Sequence, residues 1–185
     1  MRIITGTAKG KRLKTLEGDA TRPTSERMKE AIFSAIQFDL EDRTVLDLFA
    51  GCGQLGLEAL SRGAKSAMFV DASNDAITVV KQNAQATDFF SRSRFLTSDY
   101  RNYIRKAARR DSFDLVFIDP PYALGEERGY ASVLATLAAR GAIRPGGLFI
   151  AEMTAAQGAE ETPGWEVVRD RTYGKTRICI WRRAK

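Results

Sequence analysis

The chain has 185 residues, 29 Lys and Arg against 23 Asp and Glu for a net charge of +6, and no histidine. That length suits one domain, and 44% hydrophobic with 28% charged residues is the composition of a globular protein with a sizeable core. Without imidazole there is no Ser-His-Asp or Cys-His nucleophile system and no histidine-ligated metal. The two cysteines, Cys52 and Cys179, form no CxxC pair and cannot build a four-sulfur site, so no metal is expected. Lys9, Lys11 and Arg12 interrupt the N-terminus before any signal-peptide core. No uncharged stretch reaches the ~20 apolar residues of a membrane span, and a cytoplasmic location is the expectation.

In chain order, Arg2–Thr5 and Arg12–Leu16 read as two short strands around a Gly-Lys turn, a small N-terminal hairpin. Thr24 or Ser25 can cap a helix with Met28, Ile32, Ala35 and Ile36 on one face. Thr44–Phe49 is a short apolar strand, followed by a glycine turn and a helix from about Leu55 to Arg62 that Gly63 stops. Ser66–Val70 is a strand, and Ser73 caps a helix carrying Ile77, Val80 and Ala84. Arg94–Thr97 is a weaker strand, Tyr100–Arg109 a helix and Phe113–Ile118 a strongly apolar strand. Tyr130–Arg140 follows as a helix, Gly147–Glu152 as a strand, and Trp165–Thr172 with Lys175–Trp181 as a closing hairpin. Near-continuous apolar strands alternating with helices predict an α/β fold, a mostly parallel sheet covered on both faces with an antiparallel C-terminal edge.

The run Asp47-Leu48-Phe49-Ala50-Gly51-Cys52-Gly53-Gln54-Leu55-Gly56 satisfies G-x-G-x-x-G between a strand and a helix, and Asp71-Ala72 closes the next strand. Glycines let the backbone approach a ligand, and an acid at the second strand end can accept from a ribose diol. By itself this pattern would suit NAD. Asp47, inside the strand end, would repel a pyrophosphate and can hold an ammonium, which favours an adenosine cofactor carrying an amino acid. The second motif, Asp119-Pro120-Pro121-Tyr122, ends the fourth parallel strand, where open α/β sheets bind ligands. The Asp119 carboxylate and Pro120 carbonyl form a rigid acceptor pair for a planar amine, and Tyr122 can stack on the ring that bears it. Methylation of an exocyclic amine needs that arrangement, and its catalysis is mostly positioning and electrostatics.

Charge is unevenly placed. Residues 1–29 carry a net +5, residues 165–185 another +5, and the centre −4. Basic ends around an acidic middle suggest polyanion contacts that flank the site.

On these residues the sequence resembles the class I S-adenosylmethionine-dependent methyltransferases, specifically the RsmD-like family that methylates the N2 amine of a guanine in 16S ribosomal RNA. The resemblance runs through Arg2-Ile3-Ile4-x-Gly6, Arg22-Pro23-Thr24, Glu30-Ala31-Ile32-Phe33, the Asp47–Gly51 loop with Leu55-Gly56-Leu57-Glu58-Ala59, Asp119-Pro120-Pro121-Tyr122 and Tyr173-Gly174. It implies a Rossmann-like seven-stranded sheet and one methyltransferase domain over 1–185. Within it, 1–23 is a hairpin extension that contacts RNA and 24–185 the S-adenosylmethionine-binding catalytic core.

The implied cofactor site is Asp47, Phe49, Ala50, Gly51, Gly53, Leu55 and Gly56, with Asp71 and Ala72 at the ribose. Ser98, Asp99 and Tyr100 lie at the adenine, and Arg22 and Thr24 close the pocket. The catalytic residues are Asp119, Pro120, Pro121 and Tyr122, with a mobile loop over 123–129. Three residues depart from the family pattern: Cys52 stands where serine is common, Gln54 where a small residue is common, and Asp71 where glutamate is frequent. Cys52 reads as a loop residue and not a nucleophile. The implied partner is 16S rRNA, free or within a 30S particle, gripped through phosphates by Lys9, Lys11, Arg12 and Lys14, with Lys175 and Arg177 as further candidates. A monomer is expected. The alternatives are adenine N6 in DNA or RNA, a protein glutamine amide, a non-catalytic RNA-binding or assembly factor on the same fold, and an NAD-dependent enzyme.

Overall fold

The computed structural model describes residues 1–16, 26–106, 112–120 and 130–185. Among the sequence-predicted site residues, Arg22, Thr24, Pro121, Tyr122 and the loop 123–129 lie outside these. Seven strands form one mixed sheet in the order β3-β2-β1-β4-β5-β7-β6, and the chain resolves into two compact units, Met1–Tyr100 and Arg101–Lys185.

In the first unit, helix α1 (Glu26–Ala35) buries Met28, Lys29, Ile32 and Phe33. Strand β1 (Thr44–Asp47) pairs in parallel with β2 (Ser66–Asp71), and β2 with β3 (Ser93–Thr97). Helix α2 (Gln54–Ser61) is buried along its whole length. Gly56 allows this, because a Cβ there would lie 2.4 Å from the Phe69 ring of β2. Helix α3 (Asn74–Ala86) is capped by Ser73, whose hydroxyl accepts from Ala76 N–H at 3.3 Å, and buries Ala76, Ile77, Val80, Asn83 and Ala84.

The N-terminal hairpin is present as a tight antiparallel loop and not as two regular strands. One bridge joins Arg2 to Arg12, and Ile3 N–H donates to Lys11 O, Gly10 N–H to Ile3 O and Leu13 N–H to Met1 O. An isolated two-stranded hairpin is marginal in water, and here side chains replace the missing ladder. The buried Glu58 carboxylate accepts from Ile4 N–H (2.8 Å) and Thr5 N–H (3.0 Å), and Ser61 Oγ accepts from Ala8 N–H while donating to Thr5 O.

Helix α4 (Tyr100–Lys106) buries Tyr103 and Ile104. In the second unit, β4 (Phe113–Ile118) is buried at every position and pairs in parallel with β5 (Ile143–Thr154). Helix α5 (Ala131–Ala139) buries Leu134 and Leu137. Strand β5 starts four residues earlier than its apolar run, because Arg144, Pro145 and Gly146 are absorbed in a register shift between Phe113 and Leu115 of its partner. Strands β6 (Trp165–Tyr173) and β7 (Thr176–Arg183) close the antiparallel edge, with Phe149, Trp165 and Trp181 packed edge to face between β5, β6 and β7. No helix of the described residues is long and apolar enough to cross a membrane.

Candidate active site

The residues read from the sequence as a cofactor site gather at the C-terminal ends of β1, β2 and β3, the ligand-binding edge of an open parallel sheet. Register sets this: Asp47 pairs with Phe69 and Asp71 with Thr97, so the β1 loop, Asp71 and the Ser98-Asp99-Tyr100 turn end together. Gly53 adopts φ +81° as the N-cap of α2, in the left-handed region that glycine tolerates, and offers no side-chain cap. A Cβ at Gly51 would meet nothing within 4 Å, so the loop backbone faces open space.

Two carboxylates hold the loop. Asp47, 1% exposed, accepts from Gly56 N–H at 3.0 Å and so supplies the first turn of α2 with the cap that Gly53 lacks. Asp71 accepts from Gly51 N–H and from Ser73 N–H, one on each oxygen, both at 2.9 Å. A carboxylate oxygen has two acceptor sites, so Asp71 can hold the loop and still receive a ribose hydroxyl. Phe49 packs on Tyr100 with ring centroids 5.0 Å apart, joining the ends of β1 and β3. Ala50, like Leu55 of α2, is buried, while Ala72 and Asp99 are exposed and Ser98 half-buried. The buried Gln54 Oε1 has no hydrogen-bond partner. Burial pushes the Cys52 thiol up, which keeps it protonated near neutral pH, as a loop residue and not a nucleophile.

In the second unit, Asp119 and Pro120 are half-buried directly after the fully buried β4. Ile118 pairs with Ala151 of β5. A cavity of about 400 Å³ is lined by Tyr130, Met153, Gln157, Gly158, Ala159, Glu160 and Trp181. Trp181 Nε1 donates to the Glu160 carbonyl at 3.2 Å and anchors this wall. Among the described residues no cluster of acidic or cysteine side chains could hold a metal ion.

The basic residues are placed unequally. Lys9 and Arg12 are exposed, whereas Lys11 Nζ donates to Ala86 O and Asp88 and Lys14 Nζ to Gln82. Arg177 is committed to Asp170, through two of its nitrogens, and to Gln157 O. Sequence reasoning missed Lys29, Glu58 and Asn83. The first two form a fully buried pair at 3.4 Å, and Asn83 donates to the Cys52 carbonyl of the glycine loop at 2.8 Å.

A family model described as "Conserved hypothetical protein 95" matches residues 1–182. The chain belongs to this family, the RsmD-like methyltransferases. The chain is 36% identical over 185 residues to "Putative rRNA methyltransferase YlbH" of Bacillus subtilis, with 99% of each chain covered. It is 28% identical over 184 residues to "Ribosomal RNA small subunit methyltransferase D" of Escherichia coli strain K12, covering 99% of this chain and 90% of that one. The solved structure of "Putative methyltransferase yhhF from Escherichia coli" superposes with a TM-score of 0.85 at 28% identity, over 100% of this chain and 98% of that chain. These likenesses span the whole RsmD-like chain, including the N-terminal loop and the closing hairpin, and they establish the class I methyltransferase architecture expected from the motifs.

Proposed function

We propose that this protein, acting as one methyltransferase domain, transfers a methyl group from S-adenosylmethionine to the N2 amine of a guanine in small-subunit ribosomal RNA. The observation that carries the reading is the glycine loop held at its two ends by Asp47 and Asp71, in a family whose relatives are named as ribosomal RNA methyltransferases. The open backbone at Gly51 and the second lone pairs of Asp71 suit a cofactor with an amino acid at one end and a ribose diol at the other. When bound, S-adenosylmethionine supplies an electrophilic methyl group on a sulfonium.

The chain's own residues then orient the acceptor. The Asp119 carboxylate and Pro120 carbonyl receive the two N–H bonds of the planar amine, aim the nitrogen lone pair and oppose the charge that grows on nitrogen. As the nitrogen turns cationic its proton becomes acidic, and Asp119 or water can take it without imidazole. Tyr122 is assigned to stacking on the base, which must leave its helix to be reached.

The test is transfer of a labelled methyl group to naked rRNA, 30S particles, DNA and protein, followed by nucleoside analysis. Label in N2-methylguanosine from rRNA or 30S particles is expected. Label in N6-methyladenosine or in protein would overturn the substrate, and calorimetric binding of NAD in place of S-adenosylmethionine would overturn the cofactor. In the same assay Asp119→Ala should abolish transfer while leaving cofactor affinity near that of the unaltered chain. Retained turnover would remove the amine-acceptor role.

A further inference from the structure

Asn83 is 1% exposed and its amide is engaged by main chain from two distant segments. Its Oδ1 accepts from Lys14 N–H at 2.8 Å, and its Nδ2 donates to the Lys14 carbonyl at 2.9 Å and to the Cys52 carbonyl at 2.8 Å. The Lys14 pair is the two-bond pattern that one strand residue offers another, so Asn83 serves as a strand neighbour for the N-terminal segment. The Cys52 carbonyl belongs to the glycine loop. One turn earlier on α3, Val80 fills the space beside that loop, where a Cβ at Gly53 would lie 2.9 Å from Val80 Cγ1. Gln82 and Ala86 O of α3, with Asp88 just past its end, receive Lys14 and Lys11. One helix thus carries both the N-terminal segment and the back of the cofactor loop, with Asn83 bonded to each.

We propose that Asn83 is a positioning residue that couples RNA held by the N-terminal segment to cofactor held by the glycine loop. The coupling rests on the RNA methyltransferase reading above. The planar amide has one orientation that serves both segments. When Lys14 leaves, Oδ1 and one N–H lose their partners in a buried site, where unpaired polar groups are costly, and the amide is no longer fixed toward the Cys52 carbonyl. A ligand that presses the segment down through exposed Lys9 and Arg12 therefore steadies the loop. By linkage, cofactor in the loop steadies the segment to the same extent.

The experiment titrates S-adenosylhomocysteine calorimetrically into the full chain, alone, with saturating naked 16S rRNA and with saturating 30S particles. RNA should tighten the dissociation constant by about fivefold or more, and S-adenosylhomocysteine should tighten RNA binding by the same factor. In Asn83→Ala, and in Asn83→Asp, which keeps the acceptor for Lys14 N–H but faces both carbonyls with a carboxylate oxygen, the factor should fall to about one while both ligands still bind. Gly6→Ala is an independent variant. Its Cβ would sit 1.8 Å from the Ser61 carbonyl oxygen, so it disturbs the N-terminal segment without touching Asn83, and it should also lower the factor. A purely structural Asn83 would lower the melting temperature and leave the factor unchanged. A factor of one in the unaltered chain, or an unchanged factor in the variants that fold, overturns the coupling. Absence of binding to both naked 16S rRNA and 30S particles by the unaltered chain overturns the RNA reading itself.

Discussion

A carboxylate at a strand end can serve the fold, a ligand, or both, and Asp47 and Asp71 divide differently. Asp47 is sealed in and caps α2 through Gly56 N–H, at the helix N-terminus where a carboxylate is favourably placed. Asp71 remains half-exposed, with one backbone N–H on each oxygen and acceptor capacity to spare. The same scale settles Cys52. Burial raises its thiol, and its carbonyl accepts from Asn83 Nδ2. Cys52→Ser should therefore leave methyl transfer essentially intact, whereas a cysteine that carried the methyl group would lose all turnover in a single-turnover assay. At Cys179 burial is the main cause of a thiol pushed up to about 12, and that side chain contributes to packing.

At the scale of elements, α2 is organised around a buried carboxylate. Glu58 receives four donors: Ile4 N–H and Lys29 Nζ on one oxygen, Thr5 N–H and Arg62 Nε on the other. That fills the acceptor capacity of a carboxylate. Burial holds the Lys29 ammonium below its usual range, opposed by the charge of Glu58. Glu58→Ala would strand Lys29 in the core and release the N-terminal loop, at a cost of about 3–5 kcal/mol, read as a shift of the urea midpoint. The β6–β7 hairpin has its own ionic clasp. The Arg177 guanidinium holds Asp170 below the usual carboxylate range. A carboxylate depressed in the folded state contributes stability that is complete above its unfolded pKa and is lost as pH falls through its folded value. The hairpin edge should therefore loosen on acidification below the ordinary carboxylate range, and Arg177→Gln should flatten that acid limb in pH-dependent thermal melts.

For the whole molecule, the two basic ends are not equivalent reservoirs of charge. Lys11 and Lys14 are tied to α3 and its end, and Arg177 to Asp170, which leaves Lys9 and Arg12 as the freer contacts of the N-terminal segment. Replacing Lys9 and Arg12 by alanine should weaken rRNA binding and flatten the logarithmic salt dependence by roughly 0.7 per lost phosphate contact. Adding Lys11→Ala should bring less further change in the salt slope than either of these, since that ammonium already faces Asp88. A slope unchanged by the double substitution would place the RNA on another face.

Much of this was open to a reader of the sequence, because it depends on local pattern. Apolar runs of strand length, Ser73 before a helix, the glycine spacing and Asp-Pro-Pro-Tyr after a buried strand each carry their meaning within a few residues. So strand identity, the loop after β1 and the acidic strand ends could be named in advance, and the family followed from them. What only the tertiary structure decided is how distant residues share one group. Glu58 meets Ile4 across 54 residues, Asn83 meets Lys14 across 69 and Cys52 across 31. In the sequence each is a polar helix position, and although Glu58 stands in the Leu55–Ala59 motif, no spacing marks its distant partners. The physical reason is burial: a polar side chain taken out of water must find partners wherever the fold brings them. The sequence alone placed the glycines and acidic residues at the strand ends, and packing determined that the N-terminal segment and the glycine loop are bonded to one asparagine.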